Sequence, residues 1–133
     1  MTIAREVAEQ EFERFAESME LDVDTSKMDA EDSKSLIQQR NVIVNAICCG
    51  RMIIDDKGQP VYTPCDSEGG PITFHEPTGA TFMAMDGKKK NADVGKLYAA
   101  MGDMTKQPPA LFSRMKNRDL KVCIAVASLF LAG

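Results

Sequence analysis

Arg51-Met-Ile-Ile-Asp55, Asp56-Lys-Gly58 and Gln59-Pro-Val-Tyr-Thr63 are the stretch on which the fold class turns. On either side of it apolar residues recur every three or four positions. Here that period breaks, and two short apolar runs flank a glycine-containing turn, which is the pattern of a β-hairpin. Pro60 has no backbone N–H to give a sheet, so its strand begins there or lies at an edge. A loop rich in turn residues (Pro64, Asp66, Ser67, Gly69, Gly70) then leads to Pro71-Ile-Thr-Phe-His-Glu76, a third short strand. The three runs predict a small antiparallel meander.

Upstream of the hairpin the spacing is helical. Thr2 stands where a helix cap is needed, and Ile3, Val7, Phe12, Phe15 and Met19 fall on one face of the helix that follows. Residues 21–32 are acidic and rich in small residues, and they read as a mobile linker. A second helix is expected to start near Asp29 or Asp32, to run through Leu36, Arg40, Ile43, Val44 and Ile47, and to close at Gly50.

Downstream, Pro77-Thr78 opens a short helix carrying Phe82 and Met85. Gly87-Lys-Lys-Lys-Asn91 reads as a polar tip. Asn91 or Asp93 then starts a helix with Val94, Leu97, Tyr98 and Met101 at helical spacing, stopped by Gly102. Pro108-Pro109 leads into a turn with Leu111, Phe112 and Met115, and Asn117 caps the final helix. In that helix Leu120, Cys123, Ile124, Ala127, Phe130 and Leu131 form one stripe, and Val122, Val126 and Leu129 fill much of the opposite side. A helix apolar nearly all round must be buried, in its own domain or against a partner. The order of elements predicts an α+β fold, mostly helical, with a three-stranded antiparallel meander packed against helices. At 133 residues one domain is expected over 1–133, with an acidic N-terminal helix at 1–20, the linker at 21–32 and the α+β core at 33–133.

Charge is unevenly placed. Residues 1–32 carry eleven acids against Arg5, Arg14 and Lys27, a net of −8, while the remainder holds nine acids and thirteen bases, a net of +4. The acidic arm is either a solvated helix face, or a surface that repels nucleic acid and docks a basic partner. The N-terminus, Met-Thr-Ile-Ala-Arg-Glu, does not resemble a signal peptide. The apolar run Val122 to Ala132 falls well short of the ~20 residues a bilayer span needs. A soluble, cytoplasmic protein is expected, without membrane contact.

The residues that carry chemistry elsewhere do not assemble here. His75 is the single histidine and falls on the Thr73 side of its strand, where it is expected to be solvated. A Cys–His nucleophilic pair would need Cys65 oriented beside it. Cys48-Cys49, Cys65 and His75 lack the paired spacing of a zinc site, and Cys123 sits in an apolar helix, so free buried thiols are expected. Asp22-Val-Asp24-Thr-Ser26-Lys27 places Lys27 and Ser33 where a calcium loop needs Gly and Glu. Gly87 to Lys96 lacks the spacing of a phosphate loop, and the Lys88–Lys90 triplet has no interleaved aromatic platform. No catalytic residue, cofactor or metal is expected. Met83, Met85, Met101, Met104 and Met115 either fill an irregular core or furnish an adaptable binding surface.

Pro71-Ile-Thr-Phe-His-Glu-Pro77 followed by Phe82-Met-Ala-Met-Asp86 resembles the start of the small tail assembly chaperones of long-tailed bacteriophages. Lys96-Leu-Tyr-Ala-Ala-Met-Gly-Asp-Met104 and Leu111-Phe-Ser-Arg-Met-Lys-Asn-Arg-Asp-Leu120 are similar to the later parts of those chains. The likeness spans residues 71–133, and the hairpin at Arg51–Thr63 is similar to one seen in some members. The resemblance implies a non-enzymatic protein that binds the helical tape measure protein and keeps it soluble in the host cytoplasm. It also implies that the chain promotes tail tube assembly, with contact to the major tail tube protein and to further copies of itself, and is absent from the finished particle. The family's programmed frameshift yields a longer second product, and Leu129-Phe-Leu-Ala-Gly133 is compatible with such a junction.

A partner of that kind exposes long apolar stripes, which a groove between helices would cover. Phe82, Met85, Leu97, Tyr98, Met101, Phe112 and Met115, with Phe130 of the last helix, are the residues expected to line it. Replacing Tyr98 and Met101 by Asp is then expected to abolish binding and spare the fold. Two other readings remain: a tail completion or head–tail joining protein retained in the virion, and a regulatory adaptor whose acidic arm masks a basic partner.

Overall fold

A computed structural model describes residues 2–65, 70–87 and 93–132. The elements are α1 (Arg5–Ser18), α2 (Ala30–Cys48), β1 (Met52–Ile54), β2 (Pro60–Tyr62), β3 (Ile72–Thr73), α3 (Gly79–Asp86), α4 (Asp93–Thr105), α5 (Ala110–Arg114) and α6 (Asn117–Ala132), with a 3-10 turn at Thr25–Lys27. The fold is mostly helical α+β, and β1-β2-β3 form one antiparallel meander. The meander packs against helices through β1, which contacts both α1 and α2.

Register follows from the hairpin. Met52 pairs with Tyr62 and Ile54 with Pro60, so Met52, Ile54 and Tyr62 face the core and Ile53 faces out. The Asp55 side chain accepts from the Lys57 and Gln59 backbone N–H groups, and Gly58 adopts the left-handed conformation that closes the turn. Pro60 is the first residue of β2, where its missing donor costs nothing. β3 is shorter than the expected 71–76 run. Phe74 still bonds Pro60 O, but the His75 N–H turns away to the carbonyl of Met104 at the end of α4.

Helix ends are set by local chemistry. Asp29 caps α2 by accepting from the Asp32 N–H at 2.7 Å. Thr78 and Thr81 form a reciprocal capping box on α3. The cap of α1 is Ala4 rather than Thr2, with no side-chain bond; the chain there is held by the Ile3 N–H donating to the Cys48 carbonyl at 3.0 Å. In α6 Asn117 is already helical, because the carbonyl of Lys116 takes the bonds of Asp119 and Leu120.

Three helices stop in the same way. After α1, α2 and α4 the chain passes through one left-handed residue, and paired 6→1 and 5→2 backbone bonds recover the last carbonyls. The left-handed residue is Gly50 after α2, as expected, but Glu20 after α1 and Lys106 after α4. Gly102 does not stop α4. It lies inside the helix, and its missing Cβ admits the carbonyl of Gln107 and the ring of Pro109 as the chain folds back.

The core runs through both ends of the sequence. Ala8, Phe12, Phe15 and Ala16 bury α1 against the other helices, with Phe15 edge-on to Phe130 of α6 at 5.4 Å. Arg40 of α2 lies over the Phe12 ring at 5.4 Å and pairs with Glu9. The stretch 21–32 holds the 3-10 turn and the first turn of α2, and its Leu21, Val23 and Met28 pack against the core. The acidic helix is thus part of the α+β core. α6 is buried on almost every side by its own domain: Val122, Cys123, Ala125, Val126, Ala127, Leu129 and Phe130 are all interior.

Candidate partner-binding surface

α3 is built from Gly-Ala-Thr-Phe-Met-Ala-Met-Asp, so its only polar side chains are Thr81 and Asp86. The usual arrangement would turn the apolar side inward. The structure does the reverse: Thr81 is the buried residue of the helix, while Phe82 is 51% and Met83 75% exposed. Thr81 is held inside by bonds on both sides. Its hydroxyl donates to Asp103 Oδ2 of α4 and accepts the Thr78 N–H at 3.0 Å. That polar pin fixes the roll of α3 on α4 and leaves Phe82 and Met83 outside. Val94, at the start of α4, adds a third large apolar residue at 61% exposure.

Isolated exposed apolar residues such as Val7, Ile37 and Ile53 are ordinary on protein surfaces. A helix whose outer face is apolar and whose buried side carries the polar Thr81 is not. Met85, Leu97 and Tyr98 sit half-buried along the same helix pair and pack against the core. Four of the eight residues expected to line a groove (Phe82, Met85, Leu97, Tyr98) therefore belong to one α3–α4 unit.

The other four do not share that surface, although Met101 is itself a residue of α4. Met101 and Phe112 are fully buried and Phe130 nearly so; they are core side chains, and α5 and α6 both pack against α4, which the spacing alone does not reveal. The expectation that Met101 lines the groove is corrected accordingly. Met115 is half-buried and lines a separate cleft of about 470 Å³ with Pro64, Ile72, Leu111, Arg114 and Lys116. Met83 and Val94, the two most exposed of the surface residues, were outside the expected set. The sequence signal for Met83 was its place beside Phe82 in a helix with almost no polar residues.

Asp119 stands at the floor of that cleft. Its Oδ1 accepts from the Tyr62 hydroxyl at 2.7 Å and from the Cys65 N–H at 2.8 Å. Burial and the Asp119 carboxylate raise the Tyr62 hydroxyl well above its ordinary value. Burial first, then the same carboxylate, push the Cys123 thiol up to about 12. A thiol held neutral in this way is a poor nucleophile. His75 is half-buried rather than solvated, with Nδ1 3.3 Å from the side-chain nitrogen of Gln59. Among the described residues no group of three His, Cys, Asp or Glu side chains is placed to hold a metal ion, and no helix is long and apolar enough to cross a membrane. The Lys88–Lys90 tip, Asn91 and the loop residues Asp66, Ser67 and Gly69 lie outside the described residues.

Compared with known proteins, the chain matches no family model, no curated protein and no solved structure.

Proposed function

We propose that the chain is a tail assembly chaperone of a long-tailed bacteriophage. It binds apolar helical segments of the tape measure protein, holds them in solution in the host cytoplasm, and releases them as the tail tube forms around them. The observation that carries this reading is the inverted α3, which buries Thr81 and presents Phe82 and Met83. The resemblance of residues 71–133 to those chaperones supports it from the sequence side, since α3 and α4 fall within that span.

The physical requirement is modest. An assembling tape measure helix exposes apolar stripes that aggregate unless covered, and an apolar strip of matching pitch covers them by helix-to-helix contact. Phe82, Met83 and Val94 supply the anchors, and methionine adapts to successive stretches of a long partner. The half-buried Met85, Leu97 and Tyr98 back them. No covalent chemistry is asked of the protein.

The test is co-expression with the largest helical protein encoded beside this gene. Soluble recovery of that protein only in the presence of this chain, lost in a Phe82→Asp/Met83→Asp variant, supports the proposal. Absence of rescue, together with detection of this chain in purified virions by mass spectrometry, overturns it in favour of a retained tail structural component.

A further inference from the structure

The cleft above Asp119 takes its walls from distant parts of the chain. Pro64 and Ile72 come from the meander and its loop, and Leu111 and Met115 from α5 and its C-cap. Arg114 and Lys116 line the same cleft and are exposed. Its volume of about 470 Å³ lies within the usual span of ligand sites, about 300–1,000 Å³. Apolar walls and a cationic opening are the two halves of a site for an apolar group that carries negative charge.

The positive charge continues past the cleft. Residues 106–121 carry Lys106, Arg114, Lys116, Arg118 and Lys121 against Asp119, a net of +4, while the rest of the chain carries −8. All five cations are exposed. Asp119 is 0% exposed and its Oδ1 takes the Tyr62 and Cys65 donors, so the charge that faces water here is positive. Among the described residues the ion pairs join Arg5, Arg14 and Arg40 to glutamates of α1, and the five cations take no part in them. Arg118 and Lys121 stand three residues apart on α6 and share one face. An acidic molecule thus keeps one strip of cations, and the strip adjoins an apolar cleft.

We propose that this cleft binds a short acidic segment of a partner protein, in which one or two large apolar side chains are flanked by Asp and Glu. The apolar side chains enter among Ile72, Leu111 and Met115. The carboxylates on either side meet Arg114 and Lys116, and those further along meet Arg118 and Lys121 through charge-assisted bonds. A small anion would reach only the two cations of the cleft, whereas a peptide of several residues spans the strip. Nucleic acid fits less well on two counts. The described residues lining the cleft include no aromatic side chain for a base to stack on, and the −8 of the remaining chain repels a long polyanion. The chain's own acidic stretch is not the occupant, because its Leu21, Val23 and Met28 pack against the core. No residue of α3 lines the cleft, so the site does not depend on what Phe82 and Met83 bind.

The test is fluorescence anisotropy of a labelled peptide, Glu-Asp-Glu-Leu-Phe-Asp-Glu-Asp, titrated with the full chain. Saturable binding is expected at about 50 mM salt and is expected to weaken roughly tenfold or more at about 500 mM, where screening shortens to a few ångströms. A second peptide with Ser-Ser in place of Leu-Phe keeps the charge and is expected to bind about tenfold more weakly, since it leaves the apolar walls empty. Arg114→Glu/Lys116→Glu is expected to weaken the first peptide by about tenfold or more, and Lys27→Glu/Lys34→Glu, the same change of net charge placed elsewhere, by less than about threefold.

Absence of saturable binding at low salt overturns the proposal. Equal affinity for the two peptides overturns it as well, because the cleft would then take no apolar group. An equal loss in the two charge variants would reduce the attraction to net charge alone. Tighter binding of a single-stranded oligothymidine of the same length would make the strip a nucleic-acid surface. Sedimentation velocity with and without the peptide tests the remaining occupant: self-association that the peptide abolishes would put a second copy in the cleft. Circular dichroism establishes that each variant is folded, and the comparison of the two peptides on the unmodified chain stands even where a variant does not fold.

Discussion

The Tyr62 hydroxyl donates to Asp119 Oδ1 at 2.7 Å across 57 residues of sequence, and it joins the central strand of the meander to the first turn of α6. The same oxygen takes the Cys65 N–H, so strand, loop and helix converge on one buried carboxylate. A buried charge is tolerated only where such donors surround it. Tyr62→Phe keeps the ring and removes one donor. It is expected to cost about 1.5–3 kcal/mol, the range for a hydrogen bond to a charged group. Chemical denaturation measures it; a change under about 0.5 kcal/mol would mean the hydroxyl contributes nothing net to the join.

Alkaline stability follows from the same cluster. Burial raises Tyr62 above its ordinary 10.0 and takes Cys123 from 9.0 up to about 12. The unfolded chain therefore loses these protons first as pH rises. Between about pH 9 and 12 the folded state binds more protons than the unfolded one, so stability falls with pH and is fully present below that window. Thermal melts from pH 7 to 11 are expected to show the decline, with a shallower slope in Cys123→Ala despite its lower starting Tm. Alkylation should follow exposure: Cys49 first, Cys48 and Cys65 more slowly, Cys123 last.

How far the sequence could be read depended on how local the determining physics was. The hairpin, the Asp29 cap and the left-handed Gly50 are decided within a few residues, and all three are where the pattern places them. Gly102 misled because a glycine near a helix end has two uses. Here it makes room for Gln107 and Pro109 rather than ending the helix. The candidate surface was half legible for a related reason. Helical spacing puts Leu97, Tyr98 and Met101 on one stripe, but it does not say which other elements cover that stripe. Met101 is fully buried in the core, whereas Phe82 and Met83 stay outside because a bond from Thr81 to Asp103 sets the roll of α3. Only the tertiary structure contains that bond.

Surface and core substitutions should divide accordingly. Phe82→Asp and Met83→Asp are expected to leave the Tm within a few degrees of wild type, since both side chains already face water. Met101→Asp buries a carboxylate in the core and is expected to prevent cooperative folding at neutral pH. A cooperative melt for Met101→Asp would show that the core around Met101 opens readily. Thr81→Val is the intermediate case. It keeps the volume but strips Asp103 and the Thr78 N–H of their partner, at about 1–3 kcal/mol.

The three matched helix ends allow a controlled comparison within one molecule. Gly50, Glu20 and Lys106 sit in the same left-handed position with the same pair of backbone bonds, yet only Gly50 lacks a Cβ to crowd the carbonyl. Glycine also loses more chain entropy on folding, which offsets part of its steric advantage. The steric term is the larger of the two, about 1–2 kcal/mol against about 0.5–1, so Glu20→Gly and Lys106→Gly are each expected to raise stability by about 0.5–1 kcal/mol. Gly50→Ala should lower it by a similar amount. The two residues end different helices and their N–H groups bond different carbonyls, Glu17 and Asp103, so the two gains are expected to add in the double variant.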